Sequence, residues 1–186
     1  CCIDTIRIPA NKNKYQEPEL PDTSDLHDLP DMWCWSTMDT IAEVVGGLTK
    51  GQQRSSDIKT VETPYLRVAN VQRGYLDLSV IKTIPATESD IQAKTLKKGD
   101  ILFTEGGDRD KLGRGCAWNN EIEGCVHQNH IFRARLFISE MNPQIISWHG
   151  NSFGQFYFLR KGKQSVNLAS INLTQLRAFP VPLIPI

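Results

Sequence analysis

Short segments of alternating apolar and polar residues dominate the middle of the chain. They cover 64–68, 75–78 and 130–137, and in the segment 101–104 a continuous apolar run is followed by Thr104. Alternation predicts half-buried β-strands, and a short continuous run predicts a strand buried on both faces. Arg73-Gly74 separates the first two segments, so we expect them to pair as a β-hairpin.

Helical patterns are brief and lie around the strands. A helix is predicted over 36–45, with Ser36 and Asp39 as a capping box and Gly46-Gly47 ending it. Another begins at Thr87 and runs to about Lys94, and Asn142-Pro143 is a typical start for a third. A brief amphipathic helix is expected near residue 173. The sequence therefore predicts an α+β fold, with a mixed or antiparallel β-sheet core and a few short flanking helices.

Composition favours one folded domain, or one domain plus tails. The chain has 186 residues, 40% of them hydrophobic, which is enough for a substantial core. Residues 1–30 contain four prolines and little periodicity, which predicts an extended linker or tail. Because the sequence begins with Cys rather than Met, we expect a fragment or a trimmed product.

The charge balance and the cysteines narrow the class of protein. Basic and acidic residues number 21 each, which argues against a purely electrostatic binder of nucleic acid. A basic face balanced by an acidic one elsewhere remains compatible with zero net charge. Five irregularly spaced cysteines predict reduced thiols and a cytoplasmic protein. No apolar run approaches the roughly 20 residues that span a bilayer, so no membrane is expected.

Five segments, taken in order, resemble one family. They are Leu29–Trp35, Pro64–Val71, Lys98–Phe103, Gln128–Arg133 and Ile171–Leu183. Together they are similar to a target recognition domain in the specificity (S) subunit of Type I restriction–modification enzymes. The resemblance covers about residues 29–186. It departs from the family at Ile184, where a proline is usual.

The resemblance implies a function and a set of partners. Residues 31–168 would be a DNA target recognition domain, and 169–186 would start the conserved spacer region, truncated before its long helix. Such a domain reads one half of a bipartite site in double-stranded DNA. It catalyses nothing itself and positions methyltransferase (modification) subunits and, through them, restriction subunits. No cofactor is implied.

Two loops have the chemistry that DNA contacts need, namely cations for phosphates and amides or guanidinium groups for base edges. The first loop contains Lys50, Gln52, Gln53, Arg54 and Lys59, and the second contains Arg109, Lys111 and Arg114. The alternatives are a solvated surface loop and a flexible hairpin tip. Glu105 and Asp108 partly cancel the charge of the second loop, although a carboxylate can also accept a hydrogen bond from cytosine.

Four further residues are candidates for DNA contact. Arg67 and Arg73 flank the predicted hairpin and could bind phosphates, or they could protect an edge strand. Gln128 and Asn129 belong to a compact polar cluster at 127–130. They could pair with adenine, or the side chains of the cluster could satisfy a turn.

Catalytic and metal sites are weakly supported. Cys116, Cys125, His127 and His130 are zinc-ligand types, but their spacing is wrong for a zinc site. An adenine methyltransferase would need an Asn/Asp-Pro-Pro-aromatic motif, which the chain lacks. A nuclease triad of Asp31, Asp57 and Lys59, or a hydrolase pair of Cys125 and His130, has no supporting context. Two alternatives stay open: the DNA-reading part of a fused restriction–methylation enzyme whose catalytic domains lie elsewhere, and a protein-interaction domain.

Overall fold

The computed structural model describes residues 20–51, 57–107, 111–164 and 169–185. Twelve strands and five α-helices are defined within those residues. In chain order they are β1 (Cys34–Thr37), α1 (Met38–Ile41), β2 (Ala42–Gly46), β3 (Val61–Leu66), β4 (Lys82–Ala86), α2 (Glu88–Lys94), β5 (Ile101–Thr104), β6 (Gly106–Gly107), β7 (Gly115–Ala117), β8 (Val126–His127), β9 (Ile131–Leu136), α3 (Pro143–Asn151), α4 (Phe153–Lys161), β10 (Lys163–Gln164), β11 (Ala169–Ser170), α5 (Leu173–Arg177) and β12 (Pro180–Leu183).

A four-stranded antiparallel sheet, in the order β2-β9-β5-β7, forms the centre of the fold. Ala134 of β9 lies between Val44 of β2 and Ile101 of β5, and all three are buried. This face of the sheet packs against the helices through a core that includes Phe158 of α4 and Leu176 of α5. Burial of this apolar surface is the main source of stability for the helical layer.

The opposite face of the central sheet has a second apolar core beside a layer of buried charge. Arg135 of β9 forms two hydrogen bonds of 2.7 Å to the carboxylate of Asp100, which is 1% exposed. Arg133, 2% exposed, donates to Glu43 at 2.6 Å. Charge-assisted pairs of this kind hold two elements in a defined register, because separating them would leave buried ions unpaired.

Smaller sheets complete the molecule. In one of them β3 lies between β4 and β8, antiparallel to β4 and parallel to β8. In another, the hairpin of β10 and β11 pairs with β6. The last, β1 with β12, joins Cys34–Thr37 to Pro180–Leu183. The predicted fold class, an α+β fold with mixed and antiparallel sheets and short helices, is confirmed.

The helix predicted over 36–45 is wrong for most of its length. Only Met38–Ile41 is helical, and strands β1 and β2 flank it. The expected cap is also wrong, because Thr37 is the N-cap residue and its side chain makes no capping hydrogen bond. Pairing with β12 on one side and β9 on the other outweighs the local helical pattern, and the β-branched Val44 and Val45 suit a strand.

The predicted pairing of 64–68 with 75–78 is also wrong. β3 pairs with β4 and β8, and only one bridge, between Val71 and Leu76, forms in the expected hairpin. The cause is Asn70, whose carboxamide accepts from the Arg67 backbone N–H and donates to the carbonyls of Asp77 and Val80. That side chain closes a compact loop where a second strand was expected.

Other predictions are confirmed. Thr87 caps α2 with a reciprocal bond to Asp90, and Asn142 caps α3 with Pro143 at its first position. The third helix divides at Ser152 into α3 and α4. None of the helices in the described ranges is long and apolar enough to cross a membrane.

Candidate nucleic-acid interface

One end of the central sheet gathers most of the loops that the sequence singles out. There β2 and β5 end while β9 and β7 begin, because Gly46 pairs with Phe132, Thr104 with Ile131 and Phe103 with Gly115. We call this end the loop edge, and define it by residues 47–51, 105–107, 111–114 and 128–130. An antiparallel sheet places alternate connections at the same end, so segments far apart in sequence become neighbours here.

Backbone hydrogen bonds hold three of these segments together. Leu48 donates to the carbonyl of His127 at 2.8 Å, and Asn129 donates to the carbonyl of Leu48 at 2.9 Å. Glu105 donates to the carbonyl of His130 at 2.9 Å. The start of the first predicted loop, the 127–130 cluster and the start of the second predicted loop therefore form one continuous surface.

The far side of the second loop is anchored to the same edge. Thr104 accepts from the backbone of Gly113 and donates its hydroxyl to the carbonyl of Lys111 at 3.0 Å. Gly113 has a φ of +63°, and a Cβ there would lie 2.1 Å from the ring of Phe158. Only glycine fits this bend, which turns the chain from Lys111 back into β7.

Three predicted arginines are oriented by backbone carbonyls. Arg67 donates to the carbonyl of Val80 at 3.2 Å, Arg73 to that of Asn151 at 2.7 Å, and Arg114 to that of Val68 at 3.4 Å. All three are half-buried beside the loop edge. A bond to a carbonyl fixes the direction in which a guanidinium group points.

The polar cluster at 127–130 divides into buried and accessible members. His127 is fully buried. Gln128 is half-buried, and its amide oxygen accepts from the backbone of Val68 at 3.2 Å, as the turn-satisfying interpretation expects. Asn129 is half-buried and His130 is exposed. Gln128, Asn129 and His130 are therefore all at least partly exposed, whereas His127 is not.

The remaining predicted residues have different positions. Lys50 is exposed at the loop edge. Lys59 is exposed just before β3, whereas Arg67 follows the other end of that strand, so the length of β3 separates the two. Gln52, Gln53, Arg54 and Arg109 lie outside the described residues.

Sequence reasoning missed the pairing of Glu105 with His130. The Glu105 carboxylate accepts from Nδ1 of His130, and the side chains are 30% and 53% exposed. The two residues continue the β5–β9 pairing by one position beyond Thr104 and Ile131. The sequence indicated that Glu105 offsets nearby positive charge and that a carboxylate can accept from cytosine. Nothing local indicated that Glu105 lies beside a residue 25 positions away.

The catalytic and metal alternatives gain no support. Burial raises the pKa of Cys125 to about 12, so its thiol stays protonated and is a poor nucleophile. His130, its proposed partner, is bonded instead to Glu105. Among the described residues, no group of three or more His, Cys, Asp or Glu side chains is arranged to hold a metal ion.

Comparison with known proteins shows which class of protein this chain is similar to. No family model matches the chain. Over 175 residues it is 24% identical to a protein of Methanocaldococcus jannaschii named "Putative type I restriction enzyme MjaX specificity subunit", covering 92% of this chain and 40% of that protein. The chain thus spans less than half the length of this relative.

Two solved structures share the fold. One is the HsdS subunit from Thermoanaerobacter tengcongensis, with a TM-score of 0.59, 12% identity, and coverage of 88% of this chain and 41% of that one. The other comes from a study of complex assembly and conformational transition in the type I R-M system, with a TM-score of 0.57, 16% identity, and coverage of 89% and 37%.

The fold is consistent with a target recognition domain. The chain is a homologue of type I restriction–modification specificity subunits and has the fold of their solved structures. The resemblance inferred from the five sequence segments is therefore confirmed.

Proposed function

We propose that this chain is a sequence-specific reader of double-stranded DNA, and that the loop edge is its DNA-contacting surface. The observation that supports this most is the convergence of separate polar segments, 47–51, 105–107, 111–114 and 128–130, on one end of one sheet. A duplex contacts a protein over a broad surface, and sequence is read best when several loops reach adjacent base pairs together.

The chemistry of each side chain indicates whether it would contact phosphates or base edges. Lys50, Arg73, Lys111 and Arg114 would bind phosphates, since a cation beside a phosphate releases counterions whatever the base. Asn129, Arg54 and Arg109 would approach base edges, where amides and guanidinium groups make paired hydrogen bonds. Predicted contacts that fit less well are Gln128, whose oxygen is already engaged, and Lys59 at the far end of β3. The other residues that we propose as DNA contacts are Arg67, Gln52 and Gln53.

The wider role would be that of an adaptor without catalysis. By analogy with specificity subunits, the chain would read one half of a bipartite site and bring methyltransferase subunits and, through them, restriction subunits to it. In this role the protein would act in the cytoplasm, where the chromosome lies, and would need no cofactor. Neither alternative, the fused restriction–methylation enzyme or the protein-interaction domain, is favoured by the comparisons.

Selection from a random-sequence duplex library tests the proposal. We expect the protein to enrich a short site of a few base pairs, with affinity that falls steeply as salt rises. Lys50→Ala should weaken binding to all sequences alike and lower the salt slope by about 1. Arg54→Ala or Arg109→Ala should reduce selectivity for the enriched site by about tenfold or more.

Lys98→Ala is the matched control. Lys98 is also exposed, but it precedes β5 at the opposite end of the sheet from the loop edge. The Lys98→Ala variant should bind DNA with the affinity of the parent and with the same dependence of affinity on salt. The proposal would be wrong if the parent enriched no sequence, or if Lys98→Ala weakened binding as much as the loop-edge variants do.

A further inference from the structure

A tight turn between Gln72 and Tyr75 lies against the loop edge. Its ends are joined by a backbone hydrogen bond of 2.9 Å, in which Gln72 donates to the carbonyl of Tyr75. At its tip, the Gly74 N–H donates to the carbonyl of Gly115 at 2.9 Å. Gly115 begins β7 and directly follows the loop-edge segment 111–114. This turn, the 72–75 turn, therefore extends the surface of the loop edge by one more segment.

Asn151 anchors the 72–75 turn on two sides. The Asn151 carboxamide accepts from the Gly115 N–H at 3.0 Å and donates to the Gly115 carbonyl at 2.7 Å, so it pairs with β7 as a neighbouring strand would. The backbone carbonyl of Asn151 accepts from Arg73 of the turn at 2.7 Å. The turn is thus bonded both to β7 and to the C-terminal end of α3. A segment held in this way loses little conformational freedom when a ligand binds to it.

Tyr75 is the exposed aromatic residue of the 72–75 turn. Its side chain is 62% exposed, and within the described ranges its hydroxyl makes no hydrogen bond. The surface beside it is open, because a Cβ on Gly74 would have no heavy atom within 4 Å apart from its chain neighbours. A tyrosine hydroxyl donates one hydrogen bond and carries no charge, and tyrosines are among the side chains that contact phosphates. Tyr75 therefore offers a neutral donor to a ligand at the loop edge.

The position of the 72–75 turn favours the DNA backbone over a base edge. The turn is bonded to β7, which is an outer strand in the order β2-β9-β5-β7. Asn129, which we propose to approach base edges, lies in the connection that enters β9, an inner strand. Phosphate chains border the grooves of a duplex, so a duplex whose groove faces the inner strands would present its backbone to the flank. Tyr75 lies on that flank.

We propose that the 72–75 turn is a third DNA-contacting element beside the two loops, and that the Tyr75 hydroxyl donates to a phosphate oxygen. This inference rests on the proposed function, since it adds a contact to the same interface. The contact would fix the position of the duplex on the protein without reading its sequence.

Tyr75→Phe removes only the hydroxyl, so it tests the proposed hydrogen bond directly. Phe156→Ala is the control: Phe156 is an aromatic residue with 68% exposure, but it lines a groove of the helical layer together with Asp39, beyond the end of β2 opposite the loop edge. Binding is measured on the enriched site, on an unrelated duplex, and on copies of the enriched site in which each phosphate in turn is a methylphosphonate. Thermal melting establishes that both variants are folded.

We expect Tyr75→Phe to weaken binding to the enriched and the unrelated duplex alike, by about threefold to tenfold, with base preferences unchanged. The salt slope should also be unchanged, because loss of a neutral donor alters no counterion release. A methylphosphonate should weaken binding of the parent at several positions, and at one of them it should cause no further loss in Tyr75→Phe. Phe156→Ala should behave as the parent does.

Four results would overturn the inference and leave the proposed function standing. They are binding of both duplexes by Tyr75→Phe as tightly as by the parent, a loss on the enriched site alone, the same methylphosphonate sensitivity as the parent at every position, and an equal loss in Phe156→Ala. If the parent itself showed no selective, salt-dependent binding, the proposed function would fail as well, so the two failures are distinguishable.

Discussion

At the scale of single residues, the packing at the loop edge buries a polar side chain, that of His127. It is fully buried, and in the described part of the molecule neither ring nitrogen has a hydrogen-bond partner. Burial, together with the charges of Arg133, Lys94 and Arg135, lowers the pKa of His127 to about 3. The ring is therefore neutral in the folded protein throughout the neutral and mildly acidic range.

This burial predicts a dependence of stability on pH. The unfolded chain binds a proton at His127 near pH 6.5 and the folded chain does not, so the contribution to stability is complete above pH 6.5 and decreases as pH falls toward 3. His127→Leu removes the titrating group at similar volume. Its free energy of unfolding should lie within about 1 kcal/mol of the parent at pH 7 and exceed it by about 2 kcal/mol at pH 5.

Urea unfolding at the two pH values measures this difference. His149, whose pKa burial also lowers, is present in both proteins, so its contribution cancels in the comparison. Parallel pH profiles for parent and variant would show that His127 is not held neutral by the fold.

At the scale of elements, the sequence predicted an element correctly where the interactions that stabilise it join residues close in sequence. Thr87 and Asp90 identify the start of α2 because the bonds that cap it lie within four residues. The same reasoning failed at 36–45, whose partners Pro180–Leu183 and Ile131–Leu136 are distant in sequence. Pairing of that kind has no signature within a short window, so propensity cannot anticipate it.

Adjacent glycines at the end of β2 give a prediction about the base of the first loop. A Cβ on Gly47 would lie 1.9 Å from the carbonyl oxygen of His127, whereas one on Gly46 would be 3.6 Å from its nearest neighbour. Gly47→Ala must push Leu48 away from Gln128 and should destabilise the protein by about 3 kcal/mol. Gly46→Ala should change stability by no more than about 1 kcal/mol.

Chemical denaturation of both variants provides the measurement. Since the two glycines are neighbours, each variant controls for the other. An equal and small effect would mean that the backbone at 47 does not approach β8 as closely as described.

At the scale of the whole molecule, the strand order determines which loops meet. The sequence identified two polar loops and the 127–130 cluster, but not that they adjoin, because that depends on the order β2-β9-β5-β7. It likewise could not separate Lys59 from the others or show that Glu105 pairs with His130. Sequence therefore supplied the chemistry of the candidate site, while non-local strand pairing supplied its geometry.

Amide hydrogen exchange, with and without the enriched duplex, tests the central claim most directly. If the loop edge contacts DNA, protection should increase in peptides covering 47–60, 105–114 and 128–131, and peptides covering 97–100 and 138–142 at the opposite end of the sheet should be unchanged. Protection at that opposite end, or along α3 and α4, with none at the loop edge, would contradict the account.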